Sequence, residues 1–358
     1  MLFRSAEVVA VVKLCAEQNL PIIPRGAGTS LSGAVLPVGG GVVIALTRMN
    51  RVLSVDVRNR RALVEAGCVN AWVTRAVQDA GLFFAPDPSS QMACTIGGNV
   101  AMNSGGPHTL KYGVTTNHIL GFEMVLPDGE VVWLGTTPDG GEDVDGYDLR
   151  GAAIGCEGMF GVITRVLVRL VRAPQAWKTM LGIFETVDDA SQTVSDIIGD
   201  GIVPGAMEMM DQLITQAVED AYQFGFPRDA GAVLIVELDG LAAGLQEQAD
   251  RVVSICQQNK AREVRIAKSD KERADLWKCR KRAFGAVGRL SPNFLTQDGV
   301  VPRSKLSIRP TRLSGNSSPK STKAKAITPS PSATRGGRRD RHRVATARRR
   351  PAGQEPRA

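Results

Sequence analysis

The chain has 358 residues, of which 43% are hydrophobic, so it is long enough for about two folded domains with ordinary apolar cores. Its formal net charge is +8, but residues 307–358 contain fourteen Lys and Arg against two acidic residues, whereas residues 1–306 contain thirty against thirty-four. The folded part is therefore not predicted to bind nucleic acid, and without a run of about 18 apolar residues no transmembrane segment is expected.

The cysteines and the N-terminus bear on the compartment. Six cysteines are scattered along the chain without a C-x-x-C pair, which argues against a zinc site or a redox dithiol and favours free thiols in a reducing environment. The first seven residues lack the basic and then apolar pattern of a signal peptide. We therefore expect a cytoplasmic protein without a metal site.

A glycine-rich loop follows the first predicted elements, a helix over 6–19 and a strand over 20–23. Its sequence, Pro24-Arg25-Gly26-Ala27-Gly28-Thr29-Ser30-Leu31-Ser32-Gly33, combines three hydroxyls with three glycines. Glycine lets the backbone approach a ligand closely, and consecutive N–H groups in such a turn form an anion-binding concavity. The loop is typical of diphosphate binding.

Two common phosphate loops are excluded. The Rossmann pattern G-x-G-x-x-G requires a glycine where Leu31 stands, and the P-loop requires a lysine where Ala34 stands. Neither a nicotinamide in a Rossmann crevice nor ATP on a P-loop is favoured. Taken alone, the loop is equally compatible with an ordinary surface loop.

Further motifs follow in chain order. Strands are predicted over 41–46, 52–57 and 61–66, and a helix over 70–80 ends at Gly81. Pro86-Asp87-Pro88 predicts rigid extended chain, and polar loops rich in small residues are expected at Thr95–Gly98 and Asn103–Gly106. By itself, each of these loops is compatible with a plain loop.

The second half of the chain alternates strands with helices. A hairpin over 119–134, a tight turn over 155–161 and a strand over 162–171 come first. Strands are then predicted over 181–184, 205–210, 232–238 and 263–267, and helices over 187–198, 212–222, 245–259 and 271–287. This alternation predicts a sheet with helices packed on it.

Five separated motifs resemble the PCMH-type FAD-binding domain of the vanillyl-alcohol oxidase superfamily, and within it the glycolate oxidase FAD subunits and D-lactate dehydrogenases. They are Pro24–Gly33, Pro86–Ser90, Cys94–Gly106, Tyr112–Gly113 and Gly155–Thr164. The resemblance covers about the first 300 residues. It implies an α+β fold with a two-subdomain PCMH-type FAD-binding domain over 1–173 and a partial FAD-linked oxidase C-terminal (cap) domain over 174–306.

The resemblance also implies FAD as the cofactor. The FAD is expected to be non-covalent, because the loop from Arg25 to Gly33 lacks the histidine that carries the flavin in covalently modified relatives. The implied cofactor-binding residues are Arg25, Gly26, Ala27, Gly28, Thr29, Ser30, Ser32, Gly33, Pro86, Asp87, Thr95, Ile96, Gly97, Gly98, Asn99, Asn103, Gly158, Gly161, Val162 and Ile163.

Arg280 is the candidate substrate-binding residue. Relatives that oxidise D-2-hydroxy acids carry an arginine at the matching position, and a guanidinium suits a carboxylate because it donates two parallel hydrogen bonds. The alternative is that Arg280, Lys281 and Arg282 form a solvated helix face. No catalytic residue is predicted.

The implied reaction is oxidation of a small 2-hydroxy acid such as glycolate or D-lactate. Hydride would pass to flavin N5, and the electrons would continue to an acceptor other than NAD, for which the resemblance suggests an iron-sulfur or other acceptor subunit. Through such a partner, the cytoplasmic protein would lie at the periphery of the inner membrane.

Residues 307–358 are predicted to be a disordered basic tail, because they are rich in Ser, Pro, Arg and Lys and lack apolar periodicity. Relatives instead continue with a histidine-containing motif that this sequence lacks. One alternative is therefore a flavin-binding but inactive fragment. Another is a nucleic-acid-binding protein that acts through the tail, although the tail lacks aromatic residues.

Overall fold

The computed structural model describes residues 4–141, 146–290, 294–302, 325–327 and 342–349. The chain divides into two compact units. Unit 1 contains the chain up to Gly106 and from Tyr112 to Ala173, and unit 2 contains Pro107–Lys111 and the chain from Pro174 onward. One division of the chain falls after Ala173, and the predicted domain bounds stay a prediction. No sequence signal indicated that Pro107–Lys111 belongs to unit 2.

The described residues of unit 1 form three sheets and several helices. Its elements are α1 (Ser5–Glu17), β1 (Ile22–Arg25), β2 (Val42–Ala45), β3 (Val52–Asp56), β4 (Arg61–Glu65), α2 (Asn70–Val77), β5 (Leu82–Phe83), α3 (Ile96–Met102), β6 (Ile119–Val125), β7 (Val131–Gly135), α5 (Leu149–Ala153), β8 (Val162–Arg169) and β9 (Val171–Arg172), while α4 (Thr109–Tyr112) begins in unit 2. An antiparallel sheet has the strand order β3-β4-β8-β6-β7. β1 and β2 form a separate parallel pair, and β5 pairs with β9.

The core of unit 1 lies between this five-stranded sheet and its helices. Val8 and Val12 of α1 are one helical turn apart and fully buried, which explains why the periodic apolar stripe forms a helix there. Ile96 and Val100 of α3 join the same cluster as the sheet residue Val166. α3 therefore places its preceding loop at the edge of a rigid core.

Unit 2 is built on an antiparallel sheet of order β11-β12-β10-β13. Its elements are β10 (Ala176–Phe184), α6 (Val187–Gly199), β11 (Ala206–Asp211), α7 (Gln212–Tyr222), β12 (Ala232–Gly240), α8 (Leu245–Gln258), β13 (Glu263–Ile266), α9 (Asp270–Leu290), β14 (Phe294–Val301), β15 (Lys325–Ile327) and β16 (His342–Arg349). One face of the four-stranded sheet packs with α6 and α8, and the other face packs with α7 and α9. The predicted α+β class is confirmed.

The predicted and observed elements agree closely. The helices predicted over 187–198, 212–222, 245–259 and 271–287 correspond to α6, α7, α8 and α9. The predicted loop at Thr95–Gly98 is instead the N-terminus of α3, where the Thr95 side chain accepts a hydrogen bond from the N–H of Gly98. Two adjacent glycines lower helix propensity, so the sequence pattern conceals this helix.

The structure describes two short strands, β15 and β16, inside the segment predicted to be disordered. β16 pairs with both β14 and β15. The remaining residues of 307–358 lie outside the described residues, and for them disorder stays a prediction. Among the described residues, no helix is both long enough and apolar enough to span a bilayer.

Candidate functional site

The glycine loop of unit 1 packs directly against the beginning of α3. A Cβ atom at Gly26 would collide with Thr95 Oγ1 and would lie 3.8 Å from the Cα atom of Gly98. Gly28 has a φ of 71°, a conformation that residues with side chains rarely adopt. The fold therefore brings two of the predicted cofactor-binding motifs into backbone contact.

The backbone donors of this loop are not consumed by the fold. Within the described residues, the N–H groups from Gly26 to Leu31 donate no hydrogen bond to another protein group, and the N–H of Ser32 donates only to Ser30 Oγ at 3.3 Å. The hydroxyls of Ser30 and Ser32 are 2.9 Å apart. Thr29 and Ser32 are exposed. Successive free donors beside hydroxyls on small residues fit the oxygens of a diphosphate.

A second wall is formed by α3 and the proline motif. Asn70, which is buried, donates one amide hydrogen bond to the carbonyl of Pro86 at 2.9 Å and another to Asn99 Oδ1 at 3.0 Å. The Asn99 amide in turn donates to Ser104 Oγ at 3.3 Å. Asn70 therefore joins the proline motif to α3, although no sequence motif pointed to it.

The turn over 155–161 is attached to the other end of α3. The N–H of Gly155 donates to the carbonyl of Val100 at 2.9 Å, and the N–H of Glu157 donates to that of Ala101 at 2.8 Å. A Cβ atom at Gly158 would lie 3.5 Å from Pro24 Cγ at the start of the glycine loop. Three motifs that are distant in sequence thus surround α3.

Not all of the predicted cofactor residues present a side chain to this region. Ile96, Val162 and Ile163 belong to the hydrophobic core. Asn103 ends α3 with a φ of 43°, and its Oδ1 accepts a hydrogen bond from the N–H of Thr116 at 2.9 Å. The side chains of these four residues support the fold. The role of each predicted residue toward FAD stays a prediction.

Unit 2 carries a charged area on the sheet face that packs with α7 and α9. Thr179 of β10 and Ala206 of β11 are both register partners of Glu237 on β12, and Glu208 lies two residues beyond Ala206. Because directly opposed residues share a face and side chains alternate along a strand, Thr179, Glu208 and Glu237 point to the same side. Glu208 and Glu237 are almost fully buried.

Glu237 is fully hydrogen-bonded. Its Oε1 accepts hydrogen bonds from Arg273 Nη2 at 2.8 Å and His108 Nε2 at 3.1 Å, and its Oε2 accepts from Thr179 Oγ1, Arg273 Nε and Trp277 Nε1 at 2.6 to 2.8 Å. Burial alone would raise the pKa of Glu237, but the hydrogen bonds from His108 and Arg273 hold that pKa well below its usual range. Glu237 therefore joins α9 and the segment Pro107–Lys111 to the sheet.

A second ion pair holds the segment Pro107–Lys111. Lys111 Nζ lies 2.5 Å from Asp239 Oδ1 and also donates to the carbonyl of Asp239. Asp239 and Glu237 are two residues apart on β12, so one strand holds both ends of the segment. This explains why the segment belongs to unit 2 although the chain on either side of it belongs to unit 1.

Arg280, the predicted substrate-binding residue, is buried rather than solvated. It is 4% exposed, and its Nε and Nη2 lie 3.0 and 2.8 Å from the same oxygen, Glu208 Oε2. The alternative of a solvated helix face is therefore wrong for Arg280, although Arg282 is exposed. The other oxygen, Glu208 Oε1, is buried without a hydrogen-bond partner.

Sequence reasoning missed the partners of these groups: His108, Thr179, Glu208, Glu237, Arg273 and Trp277. One signal was present, since Glu237 interrupts an apolar strand in which every residue from Ala232 to Asp239 is buried. A carboxylate in such a strand needs a buried partner. The identity of that partner could not be obtained from spacing.

Comparisons with known proteins agree with the two units. Residues 4–135 match the family described as FAD binding domain, and residues 173–308 match the family described as FAD linked oxidases, C-terminal domain. The first match contains the glycine loop and α3, and the second contains Glu208, Glu237 and Arg280.

The chain is similar to glycolate oxidase subunit GlcD of Escherichia coli strain K12, with 43% identity over 300 residues. It is 39% identical to subunit GlcD of Bacillus subtilis and 32% identical to a D-lactate dehydrogenase of Anaerostipes hadrus. Each alignment covers 84% of this chain but only 60%, 63% and 64% of the respective relatives.

Solved structures show the same fold. An alkyldihydroxyacetonephosphate synthase matches with a TM-score of 0.75 and 21% identity, covering 96% of this chain and 68% of that protein. p-Cresol methylhydroxylase also matches with a TM-score of 0.75, at 17% identity, covering 96% of this chain and 73% of that protein. Together, these matches show that the chain contains an FAD binding domain over residues 4–135 and an FAD linked oxidase C-terminal domain over residues 173–308, and that it has the PCMH-type fold of the solved structures.

Proposed function

We propose that this chain is the FAD-carrying part of an oxidoreductase that oxidises a small 2-hydroxy acid such as glycolate or D-lactate. The FAD assignment rests on the consecutive free N–H donors from Gly26 to Leu31. At the start of this run, Gly26 packs on Thr95 so closely that a side chain would collide with it. The substrate class follows from the 43% identity to a glycolate oxidase subunit over 300 residues.

The glycine loop would hold the diphosphate of FAD. Its N–H groups and the hydroxyls of Thr29, Ser30 and Ser32 would donate to the phosphate oxygens, because small residues let the backbone approach them closely. The start of α3, the proline motif and Gly158 would form the remaining walls. When bound, FAD supplies the acceptor for the two electrons that leave the α-carbon of the acid.

Arg280 would bind the carboxylate of the substrate. A guanidinium presents several N–H donors in one plane, and Nε and Nη2 of Arg280 are already directed by Glu208. Arg280 would thereby fix the orientation of the hydroxy acid. The electrons would then pass to a partner, an iron-sulfur or other acceptor subunit. The GlcD relatives are named as subunits of a glycolate oxidase, which supports the presence of a partner.

Flavin absorbance of the purified protein tests the cofactor assignment. We expect a flavin spectrum, and acid precipitation should release all of the flavin into the supernatant because the loop has no histidine to bind it covalently. A colourless protein that takes up no added FAD would contradict the assignment. Flavin that stays in the acid pellet would contradict only the non-covalent attachment.

Turnover with a dye acceptor tests the substrate class separately. We expect glycolate or D-lactate to reduce the dye and L-lactate to do so more slowly. An Arg280→Lys variant should raise KM for the acid by about tenfold or more, because lysine keeps the charge but has no planar guanidinium that can donate to Glu208 and to the substrate carboxylate together. A flavin-loaded chain without turnover would contradict the proposed activity while leaving the FAD assignment intact.

A further inference from the structure

Glu208 and Arg280 form an ion pair that uses one oxygen of the carboxylate and two nitrogens of the guanidinium. Both Nε and Nη2 of Arg280 donate to Glu208 Oε2. Glu208 Oε1 is buried and has no hydrogen-bond partner. Arg280 Nη1 likewise makes no hydrogen bond within the described residues. The pair therefore leaves one carboxylate oxygen of Glu208 and the Nη1 group of Arg280 without hydrogen-bond partners.

An unmatched buried carboxylate oxygen is costly. Leaving such a polar group without a partner costs on the order of 1–3 kcal/mol, and more when the group is charged. Glu237, on the same sheet face, shows the usual solution, because hydrogen bonds from four side chains satisfy both of its oxygens. Glu208 Oε1 thus has no hydrogen-bond donor within the described residues. A bound molecule can supply this donor.

A 2-hydroxy acid has the matching pattern. It carries an acceptor, the carboxylate, and a donor, the hydroxyl, on adjacent carbons. We propose that Arg280 binds the carboxylate through Nη1 while Glu208 Oε1 accepts the hydrogen bond of the substrate hydroxyl. This inference rests on the proposed function, and it assigns to Glu208 a role in substrate specificity.

The 2-oxo acid product has the wrong pattern. Its keto oxygen is an acceptor, so at this position two oxygens would face each other without a proton between them. A site built to bind a hydroxyl rejects an analogue that lacks one, because the buried group is left unpaired. Glu208 therefore favours the hydroxy acid and promotes release of the oxo acid.

Binding of D-lactate, pyruvate and propionate tests the inference. Dissociation constants are measured by calorimetry on the flavin-loaded full chain, with the flavin kept reduced under nitrogen so that D-lactate has no electron acceptor. A final spectrum checks that the flavin stayed reduced. We expect wild type to bind D-lactate at least about tenfold more tightly than pyruvate.

Glu208→Gln should abolish this preference. The amide oxygen still accepts from Arg280, which places the amide NH₂ where Oε1 was, so that pyruvate gains a donor. The ratio of the two dissociation constants should fall to about one, while propionate, which lacks both groups, changes little. Glu208→Asp keeps the charge, but its shorter side chain moves the carboxylate oxygen away from the substrate hydroxyl, so it should also lower the ratio. This second variant tests the inference if Glu208→Gln does not fold.

Glu237→Gln is the matched control, because it neutralises a buried glutamate on the same face that has no orphaned oxygen. Its ratio should equal that of wild type. Wild type is expected to prefer D-lactate over pyruvate. If both Glu208 variants keep that preference, the inference is overturned while the proposed function stands. If wild type binds none of the three acids, the proposed substrate class fails and this inference fails with it.

Discussion

Arg273 and Arg280 lie about two helical turns apart on α9, and each binds a buried glutamate on the same face of the sheet. Arg273 binds Glu237 of β12, and Arg280 binds Glu208 of β11. Residues at this spacing project from one side of a helix, so α9 delivers both guanidinium groups to adjacent strands. The helix is held by charge as well as by apolar packing.

Neutralising Glu237 should strongly destabilise the protein. Glu237→Gln leaves the Arg273 guanidinium without its charged partner, and breaking a buried pair costs about 3 kcal/mol or more. Urea denaturation measures the loss. Asp220→Asn is the control, because its pair with Arg228 is exposed and should contribute little. Equal midpoints for the two variants would show that Glu237 is not a structural link.

The effect of Glu237→Gln should depend on pH. The pKa of Glu237 lies well below its usual range in the folded protein, whereas in the unfolded chain it is about 4.3. The stabilisation is therefore fully present above the unfolded pKa and is lost as the pH falls toward the folded pKa. We expect the stability difference between wild type and the variant to shrink from about pH 6 to about pH 3. A constant difference would contradict this ion-pair explanation.

The cysteines should be unreactive in the folded protein. All six are free, as predicted, and the structure buries all of them; burial raises the pKa of Cys68 and of Cys256 to about 12. Since the thiolate is the reactive form, a disulfide reagent at about pH 8 should label the native protein far more slowly than the urea-unfolded protein. Rapid labelling of a native thiol would show that the burial described here is not maintained in solution.

Gly28→Val should abolish FAD binding without unfolding the protein. A Cβ atom at Gly28 would lie 3.3 Å from Arg25 Nε, and a branched residue is poorly suited to the φ of 71°. Gly40→Val is a close control, because Gly40 has a φ of 77° and no neighbouring atom within 4 Å of the added Cβ. Flavin content and circular dichroism are compared for both variants.

Comparing the two glycine variants should distinguish the effect of backbone strain from the loss of the diphosphate site. Gly40→Val carries similar strain but should keep its flavin. If Gly28→Val also retains stoichiometric FAD, the diphosphate site does not lie at this loop.

Local features of the sequence determined the elements of this protein. Helices α6 to α9 carry their own apolar periodicity, and Gly81, with a φ of 66°, follows the 3-10 turn Gln78–Ala80 that comes directly after α2. The glycine loop could likewise be predicted, because free backbone donors and positive φ are properties of a short run of small residues. Each of these signals lies within a few neighbouring positions.

The tertiary structure alone decided which distant groups meet. Glu237 draws its partners from positions 108, 179, 273 and 277, and Arg280 finds Glu208 on another strand. Spacing along the chain predicts helix faces and strand faces, but it does not predict which faces pack together. Burial removes water from these charges, so they must bind one another, and only the packed fold selects the partners.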